Sequence, residues 1–351
     1  MTDPRILLAG DELVLNRLLA ADLAAADPDG TWDVRELALP WPHEPFYAVA
    51  EVDEASGSEE QMIEALAGAK VCLTQLAPLT ARILDACPDL ELFAISRGGP
   101  VNANLEAATE HGVAVTFAPG RNAVATAEYA VALMLAAMRQ IPQSHAGIVA
   151  GRWEGGLYAY DATGLELEGT TVGLVGAGAI GSRVARILQA FGSEVIVYDP
   201  YADPDKLPGV RLVELDELLS TAQVVSLHAR VTEETRGLMN AERIAAMPPG
   251  SVLVNCARGA LLDHAALAAA LRDGHLFAAG LDVFDVEPLP ADHPLRDAPH
   301  VVMTPHLAGA SKATAERASA IVTEEAARWR RGEPPKFLAN TDVLDRLKAA
   351  R

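Results

Sequence analysis

The chain has 351 residues, half of them hydrophobic and 22% charged, which is a globular composition with room for about two domains. Its formal net charge of −20, from 28 basic and 48 acidic residues, argues against nucleic acid as a partner, because a phosphate backbone is repelled. No apolar run of about 20 residues marks a membrane span, the start MTDPRILLAG is no targeting signal, and Cys72, Cys87 and Cys256 form neither a disulfide framework nor a paired zinc motif. The expectation is a soluble, cytoplasmic protein with a small-molecule partner, no membrane and no metal.

In chain order, residues 5–9 (RILLA) read as a strand, 14–25 as a helix and 31–39 as a second strand. Residues 40–47 (PWPHEPFY) are a loop holding Trp41, His43, Phe46 and Tyr47, for which packing is the favoured role. Residues 71–76 predict a strand, 80–86 a helix, 90–96 a strand, 97–100 (RGGP) a tight loop, 105–111 a helix and 113–117 a strand. An apolar helix follows at 123–140, then a polar, glycine-containing stretch at 143–169 with Trp153, Tyr158 and Tyr160. Further strands are expected at 171–175, 194–197, 224–228, 251–255, 280–284 and 301–303, and a last long helix at 312–331. This alternation predicts an α/β fold of two doubly wound, Rossmann-like domains, the second inserted into the first. The boundaries are set at 1–120 with 312–351, and 121–311.

The most informative run is GLVGAGAIG at 173–181. Gly176, Gly178 and Gly181 have the G-x-G-x-x-G spacing that turns a strand tightly into a helix and lets backbone N–H groups approach a pyrophosphate. A strand precedes it, a helix pattern follows (SRVARILQA), and the next strand ends at Asp199, about 20 positions on, where an acidic residue accepts hydrogen bonds from an adenosine ribose. Asp199 repels a 2′-phosphate, and no Arg or Lys follows before Lys206, so NAD is expected over NADP.

Three later segments place reactive side chains just past strands: Arg258 in VNCARG, Asp282, Asp285 and Glu287 in GLDVFDVEP, and His306 in VVMTPH. Carboxyl ends of strands in an open α/β sheet line one crevice. A nicotinamide enzyme that reduces a ketone needs a proton donor, a cation for an anionic substrate and a group that keeps the donor protonated; His306, Arg258 and Glu287 are of those types. Gly98 and Gly99 permit backbone approach to an anion, and with Arg258 they would make the local positive site that a −20 chain needs.

These motifs, with LHARVTEETRGLMN at 227–240, VNCARGALLD at 254–263 and TPHLAGAS at 304–311, resemble the D-isomer-specific 2-hydroxyacid dehydrogenase family over nearly the whole chain. The resemblance implies an NAD-binding domain inserted into a flavodoxin-like substrate domain, and interconversion of a 2-keto acid and a D-2-hydroxy acid. It implies that His306 is the general acid/base, Glu287 raises its pKa, and Arg258 binds the substrate carboxylate and carbonyl. Further roles are implied for Asp282, which holds the nicotinamide, and for Cys256 and Ala257 near it. It also implies that Ala179, Ile180 and Asp199 line the pyrophosphate and ribose, that Gly98 and Gly99 present N–H groups to the substrate carboxylate, and that His228 supports the cofactor side. Arg230 stands two residues after His228, where many members of that family carry a proline, and Pro100-Val101-Asn102 replaces their more usual acidic turn. A homodimer is expected, with residues 153–160 as a contact. The alternative reading is an NAD-sensing, corepressor-like binding protein without turnover; formate oxidation is disfavoured, since that branch pairs its His with Gln. Which acid is used, and whether it is phosphorylated, is open at this point, with Arg97 and Arg230 as candidate phosphate contacts.

Overall fold

The computed structural model describes residues 3–41 and 47–344. It divides into two compact units, Met1–Asn122 with Ala310–Arg351, and Ala123–Gly309. His43 and Phe46 lie outside the described residues, so only the ends of the 40–47 loop can be placed.

In the first unit the order is β1 (Arg5–Gly10), α1 (Asn16–Ala26), β2 (Asp33–Ala38), β3 (Tyr47–Val49), β4 (Val52–Ala55), α2 (Glu59–Leu66), β5 (Val71–Thr74), α3 (Ala81–Ala86), β6 (Leu92–Ile95), α4 (Leu105–Glu110) and β7 (Ala114–Phe117). Five strands form a parallel sheet in the order β2-β1-β5-β6-β7. Strands β5 (VCLT) and β6 (LFAI) are buried throughout, as central strands of a parallel sheet covered on both faces must be. The small antiparallel pair β3-β4 and helix α2 were not expected. The strands are short and mostly exposed, whereas α2 begins at a capping box in which Ser58 and Gln61 satisfy each other's backbone N–H groups.

The second unit runs α5 (Ala123–Met138), α6 (Ile141–Val149), β8 (Thr171–Val175), α7 (Gly181–Ala190), β9 (Glu194–Tyr198), β10 (Arg211–Leu212), α8 (Leu215–Thr221), β11 (Val224–Leu227), α9 (Ala241–Ala245), β12 (Ser251–Asn255), α10 (His264–Arg272), β13 (Leu276–Leu281) and β14 (Val301–Met303). Its seven strands lie in the order β10-β9-β8-β11-β12-β13-β14, all parallel. Two corrections apply here. The segment after residue 140 is not all connector, because α6 occupies its start; Gln140 adopts a left-handed backbone (φ 51°) that separates α5 from α6. The strand expected at 280–284 lies at Leu276–Leu281 instead. Its apolar run continues beyond the pairing with β14, so hydrophobicity alone placed it too late.

Helix α11 (Lys312–Arg330) returns to the first unit. Its Ala315, Ala318, Val322 and Ala326 pack in one cluster with Ile6, Leu8, Val71 and Leu73, while Met62, Leu66, Ile83 and Leu84 cover the opposite face. Among the described residues no single helix is long and apolar enough to cross a membrane; α5 and α6 meet that test only as a pair bent by 63°, and α5 is largely buried.

Candidate active site

In the second unit the strand order reverses between β8 and β11, and ligands of such sheets bind at the carboxyl ends beside that point. The glycine run lies there. Gly176 has φ +99° and a Cβ on it would stand 2.9 Å from Ala229 N; one on Gly181 would stand 2.1 Å from Gly176 O. Only glycine permits this approach of turn and helix. Around Gly178 a Cβ would meet nothing within 4 Å, so its backbone faces open space. No acceptor among the described residues takes the N–H groups of Gly178, Ala179 or Ile180, and α7 starts with neither a side-chain cap nor an acidic first turn. Such a helix N-terminus fits a pyrophosphate. Asp199 accepts from Ala177 N–H at 2.8 Å and Tyr201 N–H at 2.9 Å, which aims its carboxylate over the turn and leaves lone pairs for ribose hydroxyls. The residues present therefore fit a dinucleotide. His228, at the end of β11, meets Ser226 Oγ through Nε2 at 3.0 Å, and burial pushes its pKa down to about 4; it is a neutral wall behind the glycine turn.

The reactive groups stand past β12, β13 and β14. Asn255, the last residue of β12, donates to Arg258 O at 2.9 Å and accepts from Ala257 N–H at 3.0 Å, which folds the loop so that Arg258 is exposed. Arg258 Nη1 donates to Ala257 O at 2.7 Å. Directly after it, a Cβ on Gly259 would come within 1.9 Å of the Phe284 carbonyl, so glycine is needed to seat the arginine loop against the loop that carries Glu287. The side chain of Cys256 belongs to the core cluster under the sheet, where burial raises its thiol pKa, and this leaves its backbone to face a ligand; Ala257 is half-buried.

Glu287 Oε2 meets His306 Nδ1 at 2.8 Å, and its Oε1 accepts from Phe284 N–H at 2.9 Å. Burial opposes ionisation of Glu287, but the bonds from His306 and Phe284 outweigh it and hold the carboxyl below its ordinary value. The hydrogen bond to Glu287 lifts His306 above its ordinary pKa against the effect of burial; the charges of Glu287 and Asp282 add to it and that of Arg258 subtracts. Because Arg258 acts on both, the three groups share one electrostatic neighbourhood. His306 Nε2 has no partner among the described residues, and the ring is half exposed.

Asp282 holds this arrangement together. It is fully buried; Oδ1 accepts from Thr304 Oγ1 at 2.6 Å and Leu307 N–H at 2.8 Å, and Oδ2 from Ala308 N–H at 2.8 Å. Its carbonyl also accepts from His306 N–H at 2.9 Å. These bonds stabilise His306 in a left-handed backbone conformation (φ 55°) that disfavours any residue with a Cβ. The family resemblance implied that Asp282 holds the nicotinamide; the geometry adds that it anchors the histidine loop. Its strand-end position was visible beforehand, its three acceptor bonds were not.

Beside the site, His264 Nδ1 and His293 Nε2 each lie 3.4 Å from Asp285 Oδ1, a spacing open to a metal ion. His293 Nδ1 accepts from Leu295 N–H at 3.3 Å, so in the neutral ring Nε2 carries the proton and cannot ligate. This donor set does not fit a cation. In the first unit, Gly98 and Gly99 follow β6, and a Cβ on either would meet nothing within 4 Å, so neither packing nor backbone demands glycine there. Asn102 replaces the usual acidic turn with bonds from Nδ2 to Gln75 O and Ala77 O. Arg230 is an exposed loop residue.

Residues 131–308 match the family model of the D-isomer specific 2-hydroxyacid dehydrogenase, NAD binding domain. D-3-Phosphoglycerate dehydrogenase of Mycobacterium bovis is 41% identical over 76% of this chain and 50% of its own length. Glyoxylate reductase of Korarchaeum cryptofilum is 36% identical over 83% of this chain and 89% of its own. The chain thus spans about half the length of the phosphoglycerate dehydrogenases it matches. A solved structure from Thermus thermophilus superposes with a TM-score of 0.78 at 34% identity, covering 95% of this chain and 99% of the other. With its NAD-type glycine turn and its matched NAD binding domain, the chain belongs to the D-isomer specific 2-hydroxyacid dehydrogenase family.

Proposed function

We propose that this protein is an NAD-dependent dehydrogenase that interconverts a 2-keto acid and a D-2-hydroxy acid. The observation that carries the reading is the 2.8 Å bond from His306 Nδ1 to Glu287 Oε2, beside an exposed Arg258. With Nδ1 engaged, Nε2 is the nitrogen that exchanges a proton with substrate. In reduction, protonated His306 donates it to the keto oxygen; in oxidation, neutral His306 accepts it from the hydroxyl. Arg258 holds the carboxylate and polarises the carbonyl with the guanidinium N–H groups that Ala257 O leaves open. Gly98 and Gly99 are proposed as backbone N–H donors to the substrate. NAD, when bound at the glycine turn, supplies or receives the hydride.

On this reading residues 1–120 with 312–351 form the substrate domain and 121–311 the cofactor domain, with Asp282 and Ala257 near the nicotinamide as well as structural. The three buried, unpaired cysteines suit a reducing compartment, and we assign the protein to the cytoplasm. Residues 141–160 present Ile141, Ile148, Val149, Trp153, Tyr158 and Tyr160, the last three 89%, 96% and 92% exposed. So much aromatic surface on one segment is unfavourable in water, and a second copy of the chain is its proposed cover. Light scattering should then give twice the 37.0 kDa chain mass; a single-chain mass would refute the dimer. The catalytic proposal is tested by His306→Ala, expected to lower kcat for 2-keto acid reduction by about 10²–10⁴-fold while NADH binding followed by fluorescence persists. Near-normal turnover would refute it.

A further inference from the structure

The turn that carries Glu287 holds a second carboxylate, Asp285, in the same unit as His306 and Arg258. Each carboxylate takes one amide of the turn: Glu287 Oε1 accepts from Phe284 N–H at 2.9 Å, and Asp285 Oδ1 from Val286 N–H at 3.1 Å. Their other partners diverge. Glu287 meets His306, whereas Asp285 Oδ1 has His264 Nδ1 and His293 Nε2 at 3.4 Å each. The two rings meet edge to face, 5.7 Å apart at 72°, and His264 lies tilted against the Phe284 ring at 6.1 Å.

His264 is buried, yet neither ring nitrogen has a hydrogen-bond partner among the described residues. For packing alone an apolar side chain would be more stable there. Burial holds the His264 pKa below its ordinary value; the charge of Asp285 works against that and His293 works with it, while the Val283 carbonyl and Asp263 favour the charged form. The ring is therefore neutral near neutral pH, and a carboxylate beside Nδ1 favours the tautomer with its proton there. In His293 the Leu295 N–H occupies Nδ1, so the proton is on Nε2, the nitrogen beside Asp285. Two neutral N–H dipoles thus serve one carboxylate oxygen. Both histidines stand on firm elements. His264 opens α10 directly after the N-cap Asp263, and the His293 loop is tied to α10 by Arg272 Nη2 on Pro294 O and to itself by Arg296 Nε on Pro290 O.

Building on the dehydrogenase reading, we propose that Asp285, held by His264 and His293, is a positioning residue for Glu287. With Asp285 engaged by the two rings, Phe284 N–H is left to Glu287, and the turn keeps the shape that puts Glu287 Oε2 on His306 Nδ1. Without that tether the turn is free to change shape, and an Asp285 released from the rings competes with Glu287 for the same amides. The charges that act most on His306 are those of Glu287, Asp282 and Arg258, so Asp285 bears on it through the shape of the turn.

The test is the titration of His306 itself, followed by NMR of its imidazole signal, which is assigned by its loss in His306→Ala. In Asp285→Ala the proton affinity of His306 should fall at least about threefold. Asp285→Asn keeps an acceptor for Val286 N–H and the two rings and should stay within about twofold of wild type. His293→Leu takes the ring N–H from Asp285 and should lower the affinity in the same direction, carrying the test should Asp285→Ala not fold. The double variant should fall no further than Asp285→Ala alone. Equal falls in the Asn and Ala variants, an additive double variant, or a folded Asp285→Ala with lowered Tm and unmoved titration would each overturn the proposal. Turnover of 2-keto acids with NADH is read in parallel, where Asp285→Ala should lower kcat about tenfold and leave KM for NADH in place. A moved titration in a protein whose wild type turns over no keto acid would keep the positioning role and refute only the dehydrogenase reading; turnover with an unmoved titration would do the reverse.

Discussion

Replacing Asp282 with Asn separates an anchor from a cofactor ligand. The wild-type carboxylate is fully buried and accepts from Thr304 Oγ1, Leu307 N–H and Ala308 N–H. If the amide oxygen of Asn keeps the two bonds of Oδ1, its NH2 faces Ala308 N–H, donor against donor. One charge-assisted bond is lost, a buried N–H is left unmade, and the remaining two bonds lose their charge, a combined cost of about 2–4 kcal/mol. The left-handed backbone of His306, which stores about 1–2 kcal/mol of strain, is then less firmly held and can relax, moving the imidazole from Glu287. Urea unfolding of both proteins without NADH, followed by tryptophan fluorescence, should show that loss of stability, and kcat should fall with it. Unchanged stability with only weakened NADH binding would refute the anchoring role and leave a pure nicotinamide contact.

Other substitutions probe the remaining links. Glu287→Gln removes the bond that raises His306, so the alkaline limb of kcat/KM for reduction should move to lower pH; an unmoved limb would show that Glu287 does not set it. The same variant tests linkage. The raised His306 contributes stability that is full below its unfolded pKa and lost as pH rises through its folded pKa, whereas the lowered Glu287 contributes stability that is full above its unfolded pKa and lost as pH falls through its folded pKa. The Tm gap to wild type should be widest between those two ranges and narrow on either side, and a gap independent of pH would contradict the pairing. Gly178→Ala, with open space at the added Cβ, should fold with unchanged Tm yet bind NADH at least about tenfold more weakly by crowding the pyrophosphate. Gly181→Ala meets Gly176 O at 2.1 Å and should lower Tm. Equal Tm values for the two would refute the packing argument.

Strands 171–175, 251–255 and 301–303 were legible because buried parallel strands are continuous apolar runs, and the glycine turn because its spacing is imposed by backbone geometry. Strands β3 and β4 carry no such signal, being short and edge-exposed, and α6 starts at a left-handed Gln140 that no composition rule marks. Arg258, Glu287 and His306 could be singled out as reactive types past strands. What holds them is long-range and was hidden: Asn255 folding the arginine loop, Gly259 touching Phe284, and Asp282 gathering Thr304, Leu307 and Ala308. Cys256 is two positions from Arg258 in sequence, yet its thiol packs in the core while Arg258 is exposed, because the bonds of Asn255 to Ala257 and Arg258 turn the chain between them.

The most direct test of the account follows the hydrogen itself. Each 2-keto acid that is turned over is reduced with NADH carrying deuterium on the transferred C4 position, and the product is analysed for isotope and configuration at C2. The account requires one deuterium at C2 and the D configuration. Product of L configuration, or reduction without deuterium at C2, would contradict it.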